Sequence, residues 1–258
     1  MKVQQIANIL TFFGIIIVNA LANALPINGY TTGELSDMYP NLFVPAGLTF
    51  SVWAVIYLLL AGFLVSQSVS LFGKEETPGF VRRIGWLFVL NGAANASWIL
   101  LWHHKMPAAA MAVMVCILLS LITIYQRLGV GQRIVSRREL WTAHIPFAVY
   151  LGWICIATIA NMTTVLTDAG WNGNPLSEPA WTVIMITTGT ILAGLILRRR
   201  GDAAFGLVTA WALLGIYLKR TNAEPVIPAV AYTALLFTVL LTLWSGWLIF
   251  RALQMKTN

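Results

Sequence analysis

About eight stretches of this chain, each close to the 20 residues a helix needs to cross a bilayer, carry almost no charge, and they dictate what it can fold into. They run at about 6–25, 44–67, 84–102, 106–126, 140–163, 180–197, 203–218 and 227–250; the seventh is the shortest and the least sharply bounded. Composition agrees: 59% of the 258 residues are apolar and 10% are charged, against roughly 25% charged in a soluble domain. The expectation is an all-α, polytopic integral membrane bundle of about eight transmembrane helices.

The basic residues set an orientation. With the N-terminus in the cytoplasm, the inner segments hold Lys2, Lys74, Arg82, Arg83, Arg127, Arg133, Arg137, Arg138, Arg198, Arg199, Arg200, Arg251 and Lys256. The outer ones hold only Lys105, Lys219 and Arg220. That asymmetry follows the positive-inside rule, and basic residues at both ends fit an even number of spans with both termini cytoplasmic. The expected place is the cytoplasmic (inner) membrane of a bacterium. The net charge of +7 is then a topology signal in short loops next to spans, and no nucleic-acid partner is called for. Lys2, the run from Ile6 and Ala22-Asn23-Ala24 also resemble a secretory signal with its cleavage site. The run is long for a signal core and holds Asn19 and Asn23, so a retained first helix is expected.

Reactive groups are sparse. Cys116 and Cys155 fall inside apolar spans as buried free thiols, with no metal spacing and no redox pair. His103 and His104 read as interfacial residues beside Lys105, and His144 as a capping or locally bonded histidine one turn into the fifth span. No acidic residue lies deep in a span, which argues against an ion-driven pump. No catalytic residue, metal site or phosphate-binding loop is assigned.

The buried polar residues are more informative. Asn19 and Asn23 are four apart, as are Asn91 and Asn95, whose stripe continues through Trp98 and Trp102. Trp153, Ala157 and Asn161 repeat that spacing in the fifth span, and Phe50, Trp53 and Tyr57 share one face of the second, below the bend Pro45-Ala-Gly47. An amide in hydrocarbon must find a partner, so these faces turn into the bundle. Helix-to-helix bonding and ligand contact both satisfy that demand. At about 1.5 Å per residue, Trp53, Asn95 and Trp153 lie roughly 10–15 Å below the outer surface, with Asn19 also in the outer half. A cavity at that level would open outward, beneath the loop of residues 26–43.

At these residues the chain resembles a family. Phe43-x-Pro45-x-Gly47-x-x-Phe50-x-x-Trp53-x-x-x-Tyr57 is similar to the second-helix motif of the TspO/MBR family, the tryptophan-rich sensory or translocator proteins. Asn95-Ala-Ser-Trp98 resembles its third-helix motif, and Tyr150-Leu-Gly-Trp153 with Ala157-Thr158 and Asn161 resembles its fifth. The resemblance spans about residues 6–165. It implies a five-helix bundle with a pocket for porphyrins, other tetrapyrroles or sterols, and commonly a homodimer. Carried over residue by residue, it implies that Trp53 and Trp153 contact the ring, with Phe50, Tyr57, Asn95, Trp98, Tyr150, Ala157 and Asn161 around them. The chain departs from the family at Ala46, where a second proline is usual, at Asn91 for a frequent Gln, and at Val149 for a Pro. After Asn161 the animal sterol-recognition residues are absent, which favours a tetrapyrrole over cholesterol.

Two regions are therefore expected: residues 1–165 as a TspO-like five-helix bundle, and residues 166–258 as a three-helix extension beginning at a turn-rich outer loop. The extension carries Trp211, Tyr217, Trp244 and Trp247 but no recognisable motif or internal repeat, and either covers the bundle's flank or builds a partner surface. The leading functional reading is a sensory or carrier protein that binds a planar hydrophobic ligand, a tetrapyrrole such as haem or porphyrin or an isoprenoid lipid. No cofactor is required, and the partners are the bilayer, the small hydrophobic ligand and a second copy. A transporter component and an enzyme modifying the bound ligand are the alternatives.

Overall fold

The computed structural model describes residues 1–25, 27–73 and 76–254; the side chain of Asn23 also lies outside the described set, as do Lys74 and Lys256. Long helices occupy all eight expected spans: α1 (Lys2–Ala24), α2 (Val52–Phe72), α3 (Leu87–His103), α4 (Pro107–Leu128), α5 (Ile145–Asp168), α6 (Glu178–Arg200), α7 (Ala203–Thr221) and α8 (Pro228–Gln254). Seven of these segments are long and apolar enough to cross a membrane. The other is α3, 17 residues and so roughly 26 Å long. It is cut short by Gly85, which separates it from a six-residue helix, Gly79–Ile84.

Local chemistry explains the ends. Thr31 and Glu34 form a reciprocal capping box at the start of the short helix Thr32–Asp37. Ser177 caps α6 through the Ala180 N–H, and Asp202 caps α7 through the Phe205 N–H. Leu140–His144 forms one π-helical turn before α5, turning His144 inward. The second span begins with a 3₁₀ turn, Gly47–Ser51, so Phe50 precedes the regular helix that carries Trp53 and Tyr57.

Helix α5 is the centre of the bundle, packing on α2, α4, α6 and α7. Helix α1 lies on α2 and α3, held at its N-terminal end by a buried amide cluster: Asn8 Nδ2 donates to Gln67 Oε1 at 2.9 Å, and Gln5 Nε2 to Ser70 Oγ at 2.7 Å. The first apolar run is thus an integral strut of the bundle. The extension is built in as well. Helix α7 packs on α5, α6 and α8, and its Gly215 carbonyl accepts the Ala46 N–H at 3.0 Å.

Charged contacts separate to opposite ends. At one end Arg83 pairs with Glu139, Arg138 donates to Ser66, and Arg200 donates to Val130 O. Beside them Asp202 accepts from Tyr125 Oη at 2.8 Å; burial raises its carboxyl pKa, while that bond and those from Phe205 and Ala204 N–H lower it. At the other end Lys219 meets Asp37 and Lys105 lies over the Tyr30 ring.

Two expectations are corrected. His103 is fully buried rather than interfacial, and Asn28 of the first loop donates to its backbone carbonyl at 3.0 Å. Cys116 is exposed on the outer face of α4, toward lipid, rather than buried. His144 keeps the local partner expected of it: it is buried with Nε2 3.4 Å from Glu139 Oε1, five residues earlier.

Candidate functional site

The second, third and fifth helices bring the expected aromatic residues together. Trp53 stacks on Tyr57, one helical turn on, with centroids 5.6 Å apart and planes at 26°. Its edge meets Tyr150 at 5.7 Å and Trp153 at 6.3 Å, and Phe50 closes on Trp153 at 6.0 Å. Edge-to-face pairs of this kind add about 0.5–1.5 kcal/mol each beyond burial. Five aromatic rings therefore form one cluster.

The amides stand behind it. Asn95 is 1% exposed; its Oδ1 accepts from Asn19 Nδ2 at 3.1 Å and its Nδ2 donates to Tyr150 Oη at 3.1 Å. It ties α1, α3 and α5 together. Asn91 does similar work toward α4, donating to Ser120 Oγ at 2.8 Å. Trp98 Nε1 donates to Asn161 Oδ1 at 3.1 Å, and Trp102, absent from the expected set, stacks on Trp98 at 5.6 Å and 15°.

Two spaces adjoin the cluster. An inner cavity of about 50 Å³ is lined by Phe50, Trp53, Trp98, Trp102, Trp153, Ala157 and Asn161, roofed by Val44 and Pro45. A side groove of about 600 Å³ opens between α1 and α2, lined by Ile16, Asn19, Ala20, Ala54, Tyr57 and Ile99. Thr32, Phe50, Trp53 and Trp98 line both, so they are the partition between them. Asn95 and Tyr150 line neither. Ligand pockets typically hold about 300–1,000 Å³, which the groove meets and the inner cavity does not. Two polar hydrogens of the cluster, Tyr57 Oη–H and Trp153 Nε1–H, are buried without a partner among the described residues. Trp153 is 3% exposed.

The roof above the cavity is held from the extension. Trp211 Nε1 donates to Thr49 O at 3.0 Å, and Asn41 Oδ1 accepts the Phe43 and Val44 N–H groups. Thr49 sits against the bare α-carbon of Gly215. The contacts of Thr49 with Trp211 and Gly215 join residues more than 160 positions apart, and no motif in the sequence announces them.

Among the described residues no cluster of three or more histidine, cysteine or acidic side chains is placed to hold a metal ion. The chain's likeness to known proteins lies in one family model, described as TSPO-like protein, which matches residues 5–247 and so runs through the extension as well as the first five helices. No curated protein and no solved structure matches the chain.

Proposed function

The chain belongs to the TSPO-like family, and from that premise we propose that it binds a planar apolar ligand, a tetrapyrrole or a flat isoprenoid lipid, against Trp53 and Trp153 in the outer half of the membrane. The observation that carries this is the pair of buried, unpartnered polar hydrogens on Tyr57 and Trp153, within an aromatic cluster that divides a 600 Å³ groove from a smaller cavity. A buried donor without an acceptor costs on the order of 1–3 kcal/mol, which a ligand acceptor would recover. The ligand reaches the site sideways between α1 and α2. Turning the Trp53 indole out of the partition joins the two spaces into a slot that fits a flat ring.

Titrating protoporphyrin IX into the purified protein and following the porphyrin absorbance tests this directly, with mass spectrometry of what a mild extraction retains. Trp53→Phe and Trp153→Phe should each weaken binding several-fold, since one lost ring contact of this kind is worth about 1 kcal/mol. Equal affinity in wild type and both variants would remove the cluster from the site.

The orientation proposed for this function puts both termini in the cytoplasm of a bacterium and the groove toward the outer leaflet. A cysteine at Ile134, a fully exposed position on the basic loop, should label only from the cytoplasmic side in a variant lacking Cys116 and Cys155. One at Asn172 should label from outside; the reverse pattern would invert the topology.

A further inference from the structure

A second cavity, polar and about 270 Å³, lies between the roof loop and the outer ends of α6 and α7. Tyr39, Asn41 and Val44 of the loop, Glu178 of α6, and Lys219 and Arg220 of α7 form its walls. Of its four charged side chains, Asp37, Glu178, Lys219 and Arg220, the first three are answered. Lys219 Nζ donates to Asp37 Oδ1 at 2.6 Å. Glu178 Oε1 accepts the Leu42 N–H at 3.0 Å and stands in the first turn of α6, where the helix dipole favours an anion.

Arg220 is not answered. It is 8% exposed, and its Nη2 reaches Val44 O only at 3.5 Å, the long limit of a hydrogen bond. Its Nε has no partner among the described residues. Asp37 and Glu178 act on its charge through space, yet neither forms an ion pair with it among the described residues. A guanidinium carries five donors in a rigid fork that matches a carboxylate, and a buried cation is tolerated only where it is paired. Something outside the described protein is the expected partner.

Position says what. Ser36 and Val44 line this polar cavity and also the aromatic one beneath it, so they are the thin wall between the two, and a single molecule reaches both once that wall shifts. We propose that Arg220 reads a carboxylate at the edge of the planar ligand whose body lies against Trp53 and Trp153. The protein's ligand class is then a flat apolar acid, and the extension's seventh helix supplies the residue that selects it. This rests on the reading of the aromatic cluster as the ligand site.

Two probe pairs that differ only in charge test it: protoporphyrin IX against its dimethyl ester, and pyrenebutyrate against its methyl ester. Wild type should bind each acid roughly tenfold or more tightly than its ester, the size of one charge-assisted hydrogen bond. In Arg220→Gln the ratio should fall toward one, and Arg220→Lys, which keeps the charge but loses the fork, should fall between. Should the Gln variant fail to fold, the wild-type ratio and the Lys variant still decide. Acid and ester binding equally well to wild type, or a ratio unchanged in the variants, overturns the proposal and leaves the aromatic site standing. Equal binding with acetate or inorganic phosphate alone raising the wild-type Tm means the cavity holds a separate anion, which also overturns it. If none of the four probes binds folded protein, the aromatic site itself fails and Arg220 falls with it.

Discussion

Gly131→Ala should cost about 2–4 kcal/mol of stability, combining a left-handed backbone penalty of roughly 1–2 kcal/mol with an overpacking term of similar size. Gly131 has φ +72°, and a β-carbon built there would lie 1.9 Å from the carbonyl oxygen of Arg200. That oxygen is backbone at the end of α6, so no side chain can rotate out of the way. Gly170 is the internal control: its φ is +70°, but nothing lies within 4 Å of its added β-carbon. Gly170→Ala should therefore cost only the backbone part, about 1 kcal/mol. Thermal unfolding of both variants in one detergent separates the two contributions. Equal losses would mean that the α4–α5 loop yields to the end of α6 without strain.

Gly215→Ala should have the second largest effect, a loss of about 2–3 kcal/mol together with weakened ligand binding. The new β-carbon would lie 1.9 Å from Thr49 Oγ1 and 2.8 Å from Thr49 Cβ. Thr49 is β-branched and stiff, 2% exposed, and its carbonyl is already held by Trp211. The 3₁₀ turn must then move away from α7, carrying Phe50 with it out of its contact with Trp153. Thr49→Ala in the same chain should return part of both losses, because neighbours in contact are not additive. Independent, additive effects of the two changes would show that α7 does not set the position of the roof.

Much of the fold was legible because lipid imposes a simple rule: long uncharged runs become helices, and amides inside them turn toward protein. Helices duly occupy all eight runs, the shortest of them at the third, where Gly85 breaks a segment that looked continuous. Spacing also brought Trp53 beside Tyr57, and Trp98 beside Trp102, since residues three or four apart on a helix must be neighbours. What spacing left open was the job of each amide. Asn95 has both ends of its side chain committed to Asn19 and Tyr150, a pairing between three helices that no local pattern encodes. His103 is buried by the fold, and its carbonyl is held by a distant residue, Asn28, which no local pattern encodes. The extension's part was the least legible. Gly215 looks like any helical glycine, and Arg220 like any basic residue at a helix end, until Thr49 and Val44 are set against them.

The mouth of the groove between α1 and α2 has a consequence for how affinity must be expressed. Its lining alternates along the two helices with Phe13, Ile17, Val55 and Leu58, all of them exposed apolar side chains. A flat apolar molecule using that mouth never crosses from water to protein in one step; it partitions first, and the bilayer is its solvent. Occupancy is then governed by mole fraction in the amphiphile rather than by molarity. Doubling the lipid or detergent at constant total ligand should halve the apparent affinity without any change in the protein. Constants measured in different preparations become comparable only at a matched ratio of ligand to amphiphile, and the cell sets that ratio by how much of the ligand its membrane already holds.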